Sequence, residues 1–264
     1  GLAMILTVHI DNRVISLGCY EKAELLVSSS IAVNPLGTAD QYAAEIQQVL
    51  RFSGIDTDAI DGAVISSVVP ALTSRLKQAA DHLINGGKTL TVGAGIKTGL
   101  DIRWDSAASV GSDFICNAVA ALREFTPPLV VIHFAGATTF TAIDTHGALV
   151  GKSILPGVEE SMAHLCQSAA QLPEVSFAAK APLFGRSTAD AIRSGVLYGT
   201  TSAVEGMVSR YTEMLGGSVT TVATGGEVAR AVVSLCGGGI LFRPNLLHDG
   251  LYLLYEKNRQ EYKK

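Results

Sequence analysis

Apolar positions along the chain follow two different rhythms. Short runs rich in apolar and β-branched residues at 4–8, 62–67, 89–92, 128–134, 218–223 and 239–242 predict buried strands. Residues 14–20 and 139–144 follow the first and fourth runs after tight turns and read as their hairpin partners. Helical spacing covers 39–52, 70–84, 109–122, 158–170, 188–215, 227–235 and 247–261. Thr38 is the expected N-cap of the first helix, and Pro70 and Thr73 mark the start of the second. The helix over 109–122 is rich in Ala and Val and is expected to be buried. In the long helix over 188–215, Gly195, Gly199 and Gly206 are spaced for close helix packing.

The two halves begin alike. Each opens with a strand, a turn and a returning strand, and each carries a histidine near the end of its first strand, His9 and His133. Strands alternating with helices predict an α/β class. The repeat predicts a duplicated fold with two α/β lobes, residues 4–124 and 125–262, around a central cleft. No Pro-, Ser- or charge-rich linker divides them, and there is no low-complexity segment.

Composition narrows the class. The chain has 264 residues, is 48% hydrophobic and only 17% charged, so it can bury a sizeable core. A net charge of −4 gives no electrostatic reason to bind nucleic acid or anionic lipid. The basic C-terminal residues, Lys257, Arg259, Lys263 and Lys264, read as a solvated helix end. The four cysteines, Cys19, Cys116, Cys166 and Cys236, form no C-x-x-C pair, which suits a reducing cytoplasm. No apolar run approaches the ~18–20 residues of a membrane span, and no signal peptide is evident. Gly1-Leu2-Ala3 ahead of Met4 reads as a foreign leader and is left out of fold reasoning.

Several segments together resemble the type III pantothenate kinases of the actin-like superfamily, whose fold is a duplicated ribonuclease-H-like one. They are Ile65-Ser66-Ser67-Val68-Val69-Pro70, Gly95-Ile96-Lys97-Thr98-Gly99-Leu100 with Ile102-Arg103, and Gly111-Ser112-Asp113 with Asn117-Ala118-Val119. They continue through Ala137-Thr138-Thr139-Phe140, Pro156-Gly157, Gly185-Arg186-Ser187-Thr188 with Ser194-Gly195 and Tyr198-Gly199, and Ala223-Thr224-Gly225-Gly226. The resemblance runs from Ile5 to about Asn258. It implies ATP-dependent phosphorylation of pantothenate, the first step of coenzyme A synthesis, with Mg²⁺ and a monovalent cation, by dimers with the site near the subunit interface.

Residue by residue, the resemblance implies Asp113 as general base, Trp104, Gly111 and Thr188 on the pantothenate side, and Asn12, Thr138, Thr139, Gly225 and Gly226 on the nucleotide side. Several have a plainer reading. Asp113 suits a helix N-terminus, Trp104 a core or interface anchor, Thr188 an N-cap, and Thr138 and Thr139 a Thr-rich strand edge.

The departures are concentrated where phosphate chemistry needs them least. Phosphoryl transfer is mostly positioning and charge neutralisation. The family turn Asp-x-Gly-Asn-Thr becomes His9-Ile10-Asp11-Asn12-Arg13, which keeps only the asparagine and also reads as an ordinary Asp-Asn hairpin. Asp11 places a carboxylate where phosphate belongs, an opposition of ~4 kcal/mol per charge pair at ~4 Å and an effective dielectric near 20. In the second turn the family acid becomes His133, and its Gly-Thr pair becomes Ala135-Gly136. Phe114 stands where an arginine grips the pantothenate carboxylate. Residues 33–38 lack the basic residues expected ahead of their helix. His9 and His133 with Asp113 could offer Zn²⁺ or Ni²⁺ a set of ligands, but the spacing reads more simply as two satisfied histidines and no metal.

The expected function is a catalytically deficient subunit that forms a composite pantothenate kinase with an intact paralogue. A heterodimer is favoured over a homodimer, with no nucleic-acid or membrane partner. The alternatives are an active kinase with a rearranged site and a non-enzymatic accessory protein of this fold.

Overall fold

A computed structural model describes residues 3–84, 86–106, 109–168, 177 and 180–259. In chain order its elements are β1 (Met4–Ile10), β2 (Val14–Glu21), β3 (Glu24–Ala32), α1 (Ala39–Phe52), β4 (Ile60–Ser67), α2 (Pro70–Leu83), β5 (Thr89–Thr91), β6 (Asp101–Ile102) and α3 (Ser112–Glu124). They continue as β7 (Leu129–Phe134), β8 (Ala137–Ile143), β9 (Ala148–Pro156), α4 (Val158–Ser168), α5 (Thr188–Met214), β10 (Thr220–Gly225), α6 (Glu227–Leu235), β11 (Ile240–Phe242) and α7 (Leu246–Asn258). The expected helix residues 169–170 and 260–261, residues 1–2 and the basic pair 263–264 lie outside the described residues.

The chain forms two compact units. The first is built from residues up to Gly99, from Ser106–Ala120 and from Leu246 onward, the second from Leu100–Asp105 and Ala121–Asn245. The first holds a sheet in the order β3-β2-β1-β4-β5, with β3, β2 and β1 antiparallel and β4 and β5 parallel to β1. The second repeats that arrangement as β9-β8-β7-β10-β11, with β6 added beside β9. This is the ribonuclease-H-like order, present twice. Tight turns join the antiparallel strands, and each parallel neighbour is reached through helices, as parallel pairing requires.

The division differs from a single break after residue 124. α7 packs on α3 so closely that a Cβ on Gly250 would fall inside the Cys116 carbonyl. β6 leaves the first half by pairing with Ala148 and Leu149 of β9.

Other differences have local causes. β3 carries Ser28-Ser29-Ser30 and buries few of its side chains, so its apolar signal is faint. β9 is interrupted by Gly151 and ends on Pro156. α3 starts at Ser112 rather than 109. Among the described residues the glycines of α5 do not mediate close packing: a Cβ on Gly195 or Gly199 would meet nothing within 4 Å, and one on Gly206 only Arg210 of the same helix.

α1 forms where its pattern predicts. Thr38 Oγ1 accepts from Gln41 N, and Gln41 Oε1 accepts from Thr38 N, a reciprocal capping box. Its apolar stripe, Tyr42, Ile46 and Leu50, packs with Leu72 and Leu76 of α2 against Leu6, Ile15 and Leu17 of the sheet. In the second unit Val130, Ile132 and Phe140 meet Val196 and Leu197 of α5 and Val232 of α6.

His248 ties α7 to the first hairpin. Thr7 Oγ1 lies 2.7 Å from its Nδ1, and Ser16 Oγ lies 2.8 Å from its Nε2. Burial, and then the charge of His9, pull its pKa from 6.5 to about 3. Gly18 makes room for this pair, since a Cβ there would come 2.5 Å from Thr7 Oγ1.

Two outcomes follow from these contacts. Thr38→Ala should cost about 1 kcal/mol of unfolding free energy, measured by urea titration, because it removes one side of the box. His248 stays neutral in the fold while the unfolded chain protonates it below 6.5, so its contribution is full above that pH and declines as pH falls towards 3. Between pH 6 and 4, wild type should lose about 1.4 kcal/mol per pH unit more than His248→Gln; equal slopes in urea titrations would show that His248 is not held neutral.

Candidate functional site

The first turn is shaped by its own carboxylate. β1 and β2 register Ile10 against Ile15, and Asp11 N donates to Val14 O across the loop. Asp11 Oδ1 accepts from Asn12 N at 2.8 Å. That amide is one a phosphate-binding turn would direct at its anion. Asn12 and Arg13 are exposed, and Arg13 O accepts from Val33 N.

His9 sits at the end of β1, buried, in a chain of hydroxyls. Its Nδ1 is 3.1 Å from Ser66 Oγ, and Ser66 Oγ is 2.8 Å from Ser112 Oγ. Ser112 Oγ accepts from Ser67 N and donates to Ser67 O. One consistent proton order runs from His9 to Ser66 to Ser112 to the Ser67 carbonyl. Where the resemblance expects a carboxylate, the imidazole anchors β4 and the start of α3.

α3 presents the rest of the first unit's site. Asp113 lies in its first turn, where the helix dipole favours an acid. A Cβ on Gly111 would stand 2.7 Å from Asp113 Oδ1 and 3.2 Å from Phe114 Cδ2, so both side chains fold back over that glycine. Asn117, one turn on and on the same face, is buried with an Oδ1 that makes no hydrogen bond. Cys116 is also buried; burial first, and then Asp113, push its thiol pKa up, so it is not a ready nucleophile. Residues 33–38 lack basic side chains of their own, yet Arg75 of α2 donates to the carbonyls of Pro35 and Gly37 at 2.9 and 2.8 Å.

In the second unit, Ala135 and Gly136 form a two-residue turn between β7 and β8. A Cβ on Gly157 would come 2.5 Å from Gly136 O and 2.8 Å from Ala135 O. The start of α4 therefore rests on this turn, and it brings the acids Glu159 and Glu160 in its first turn. His133 is buried opposite Thr139. Thr138 and Thr139 point to opposite faces of β8, so they do not grip one phosphate together. Thr138 Oγ1, buried without a hydrogen bond, lines a groove of about 280 Å³ with Gly195 and Gly199 of α5.

Gly225 has φ of +144° at the end of β10, and a Cβ there would come 2.7 Å from Phe134 O. It lets β10 lie against β7 and hand over to α6 through Gly226, which caps the helix with no side chain. That leaves backbone N–H groups at a helix N-terminus, a surface suited to a nucleotide's polar groups. Ser187, not Thr188, caps α5 by accepting from Asp190 N, and Thr188 is the exposed first residue of the helix. Trp104 follows β6, and Lys152 Nζ lies 4.3 Å from its ring centroid.

The structure thus places His9, Asp11, Asn12, Arg13, Gly111, Asp113 and Phe114 in the first unit. It places Trp104, His133, Ala135, Gly136, Thr138, Thr139, Thr188, Gly225 and Gly226 in the second. His248, Arg75 and Lys152 were not singled out in the sequence. The signal for His248 was available: it is a polar residue on the apolar stripe of Leu247, Leu251 and Leu254. Among the described residues no group of three or more His, Cys, Asp and Glu could hold a metal ion. The residues present fit the family's magnesium poorly. Its first-turn acid is an imidazole bonded to Ser66, and Asp11 is committed to an amide. All four cysteines are free thiols, and no helix among the described residues is long and apolar enough to cross a membrane.

The model of the type III pantothenate kinase family matches residues 5–210. The type III pantothenate kinase of Exiguobacterium sibiricum is 36% identical over 256 residues, 97% of this chain and 100% of that one. That of Listeria monocytogenes is 34% identical over 256 residues, 97% of this chain and 98% of its own. In fold, the chain is similar to MreB 5 of Spiroplasma citri bound to AMPPNP, with a TM-score of 0.52 and 10% identity, covering 98% of each chain. With a duplicated sheet order, a glycine turn into α6 and this near-complete match in length, the chain belongs to the type III pantothenate kinase family.

Proposed function

We propose that this chain is a catalytically deficient subunit of a composite pantothenate kinase. In this reading it supplies an interface and one wall of the pantothenate pocket. An intact paralogue supplies the phosphate turn, the metal-holding acids and the arginine, and the pair converts ATP and pantothenate to 4'-phosphopantothenate. The observation that carries the reading is the hydrogen bond from Asn12 N to Asp11 Oδ1, which fills with a fixed carboxylate the place of a phosphate oxygen. An incoming phosphate would have to displace that carboxylate and then lie beside it.

Three further features support it. His9 is committed through Nδ1 to Ser66. Phe114 has no donor for a carboxylate. Thr188, which the resemblance assigns to a neighbouring subunit's pocket, is exposed beside Leu183 and Phe184, themselves 59% and 85% exposed. Exposed apolar side chains next to it suit a subunit contact.

A second reading, an active kinase with a rearranged site, is favoured by the glycine turn at Gly225 and Gly226, which opens the backbone N–H groups of α6 to a ligand. The two readings separate by experiment. The isolated chain should show no ATP-dependent phosphorylation of pantothenate, and co-expression with a paralogue carrying the complete Asp-x-Gly-Asn-Thr turn should produce it. Robust turnover by the purified chain would overturn the composite reading. The double variant His9→Asp with Asp11→Gly should bind Mg·ATP at least ~10-fold more tightly than wild type in calorimetry, since it removes one opposing charge and restores a hard ligand. Unchanged affinity would mean that this turn is not what limits nucleotide binding.

A further inference from the structure

We propose that Asn258, the last residue of α7, is a latch on the segment through which the chain leaves the first unit, and that its side-chain amide decides whether that segment is held or free to move. The chain passes out of the first unit after Gly99, and residues 100–105 belong to the second. Residues 92–100 join β5 to β6 outside any helix or strand. The segment Gly95-Ile96-Lys97-Thr98-Gly99-Leu100 lies in this connection, and none of the site residues described above falls within it.

Asn258 is only 2% exposed although it ends its helix. Its Oδ1 accepts from Lys97 N at 2.8 Å, and its Nδ2 donates to Lys97 O at 2.9 Å and to Leu254 O at 2.8 Å. The carboxamide thus spends both of its N–H donors and its acceptor. The two bonds to Lys97 take both backbone groups of one residue, as a paired strand would. The third, to the carbonyl one helical turn back, fixes the plane of the amide. α7 is a firm mount for it. Gly250 seats the helix on Cys116, a Cβ on Gly62 would fall inside the Tyr255 hydroxyl, and His248 bonds to Thr7 and Ser16.

A glycine pivot stands on either side of the pinned residue. Gly95 has φ of +90° and Gly99 φ of +72°, a region that glycine enters at little steric cost. A Cβ on Gly95 would meet nothing within 4 Å among the described residues, so the demand there is conformational. A Cβ on Gly99 would stand 2.5 Å from Lys257 Nζ. Lys257 is therefore more than a solvated helix end: it covers the second pivot, beside the latch. Hinges are a few residues that absorb backbone rotation, and here two of them bracket one held position. With Asn258 engaged, rotation at either pivot breaks buried hydrogen bonds; without it, that cost is gone. Trp104, the only tryptophan of the chain, lies further along the same segment and reports on it.

The test uses the full chain. Asn258→Asp keeps the size and an acceptor for Lys97 N, but sets an oxygen against the carbonyls of Lys97 and Leu254. Asn258→Ala removes all three bonds. Thr38→Ala is the control, since it weakens the first unit without touching the segment. Hydrogen exchange read by mass spectrometry should show residues 95–99 exchanging at least ~10-fold faster in both Asn258 variants, the effect of losing about one buried hydrogen bond. Peptides from β1 should be unchanged, and Thr38→Ala should leave 95–99 as in wild type. Acrylamide should quench Trp104 fluorescence more strongly in both Asn258 variants and not in the control. Should Asn258→Ala fail to fold, Asn258→Asp decides alone. Unchanged exchange at 95–99 would overturn the latch. Exchange rising equally across the whole first unit would overturn it too, by making Asn258 a general support. Faster exchange at 95–99 with unaltered Trp104 quenching would reduce Asn258 to a peg for the loop and overturn its control of the segment.

Discussion

A backbone N–H can satisfy one acceptor well, and at the first turn that acceptor is already part of the chain. Asp11 Oδ1 takes the Asn12 amide at 2.8 Å. The hydrogen bond costs little to form because donor and acceptor are neighbours in sequence, so almost no chain entropy is lost in bringing them together. In the proposed reading an external phosphate competes at a disadvantage, since it must pay binding entropy and meet a like charge. The neighbouring substitutions fit this condition. In the composite reading proposed above position 9 has no cation to hold, and the imidazole there joins the Ser66–Ser112 hydroxyl chain.

The hydroxyl and histidine network gives the first unit its internal order. His9 joins β1 to β4 and α3, and His248 joins α7 to β1 and β2. Each uses polar bonds inside a packed sheet, where an unmet partner would be expensive. A chain segment from the far C-terminus is thereby made a structural part of the N-terminal unit.

Much of this was legible in the residues. The cap at Thr38, the apolar stripe of α1 and the hairpins after β1 and β7 follow from local chemistry, and they appear where the patterns put them. β3 and β9 did not, because a serine run and a Gly–Pro interruption hide strands whose stability comes from their neighbours. α7's return to the first unit is a tertiary fact, carried by the absence of a side chain at Gly250 and invisible to any window of sequence. At the site, the substituted turn was visible as a list of changes, but the capture of Asn12 N by Asp11 was not. The division of Thr138 and Thr139 between two faces needed only the strand period and the boundary of β8. Lys152 escaped notice because its strand did.

The open face of α5 has a consequence for how that helix holds together. Gly195 and Gly199 stand in a 27-residue helix with free space where a methyl group would go. Each leaves the helix about 1 kcal/mol weaker than alanine would, with no packing gain in return among the described residues. The turns that carry these glycines are therefore held by their buried neighbours Val196 and Leu197 rather than by helix propensity, and the exposed Thr188 lies at their entrance. Amide protons at that entrance, over 188–191, should exchange with solvent ahead of those near Leu197 and Val204, which are buried in the core.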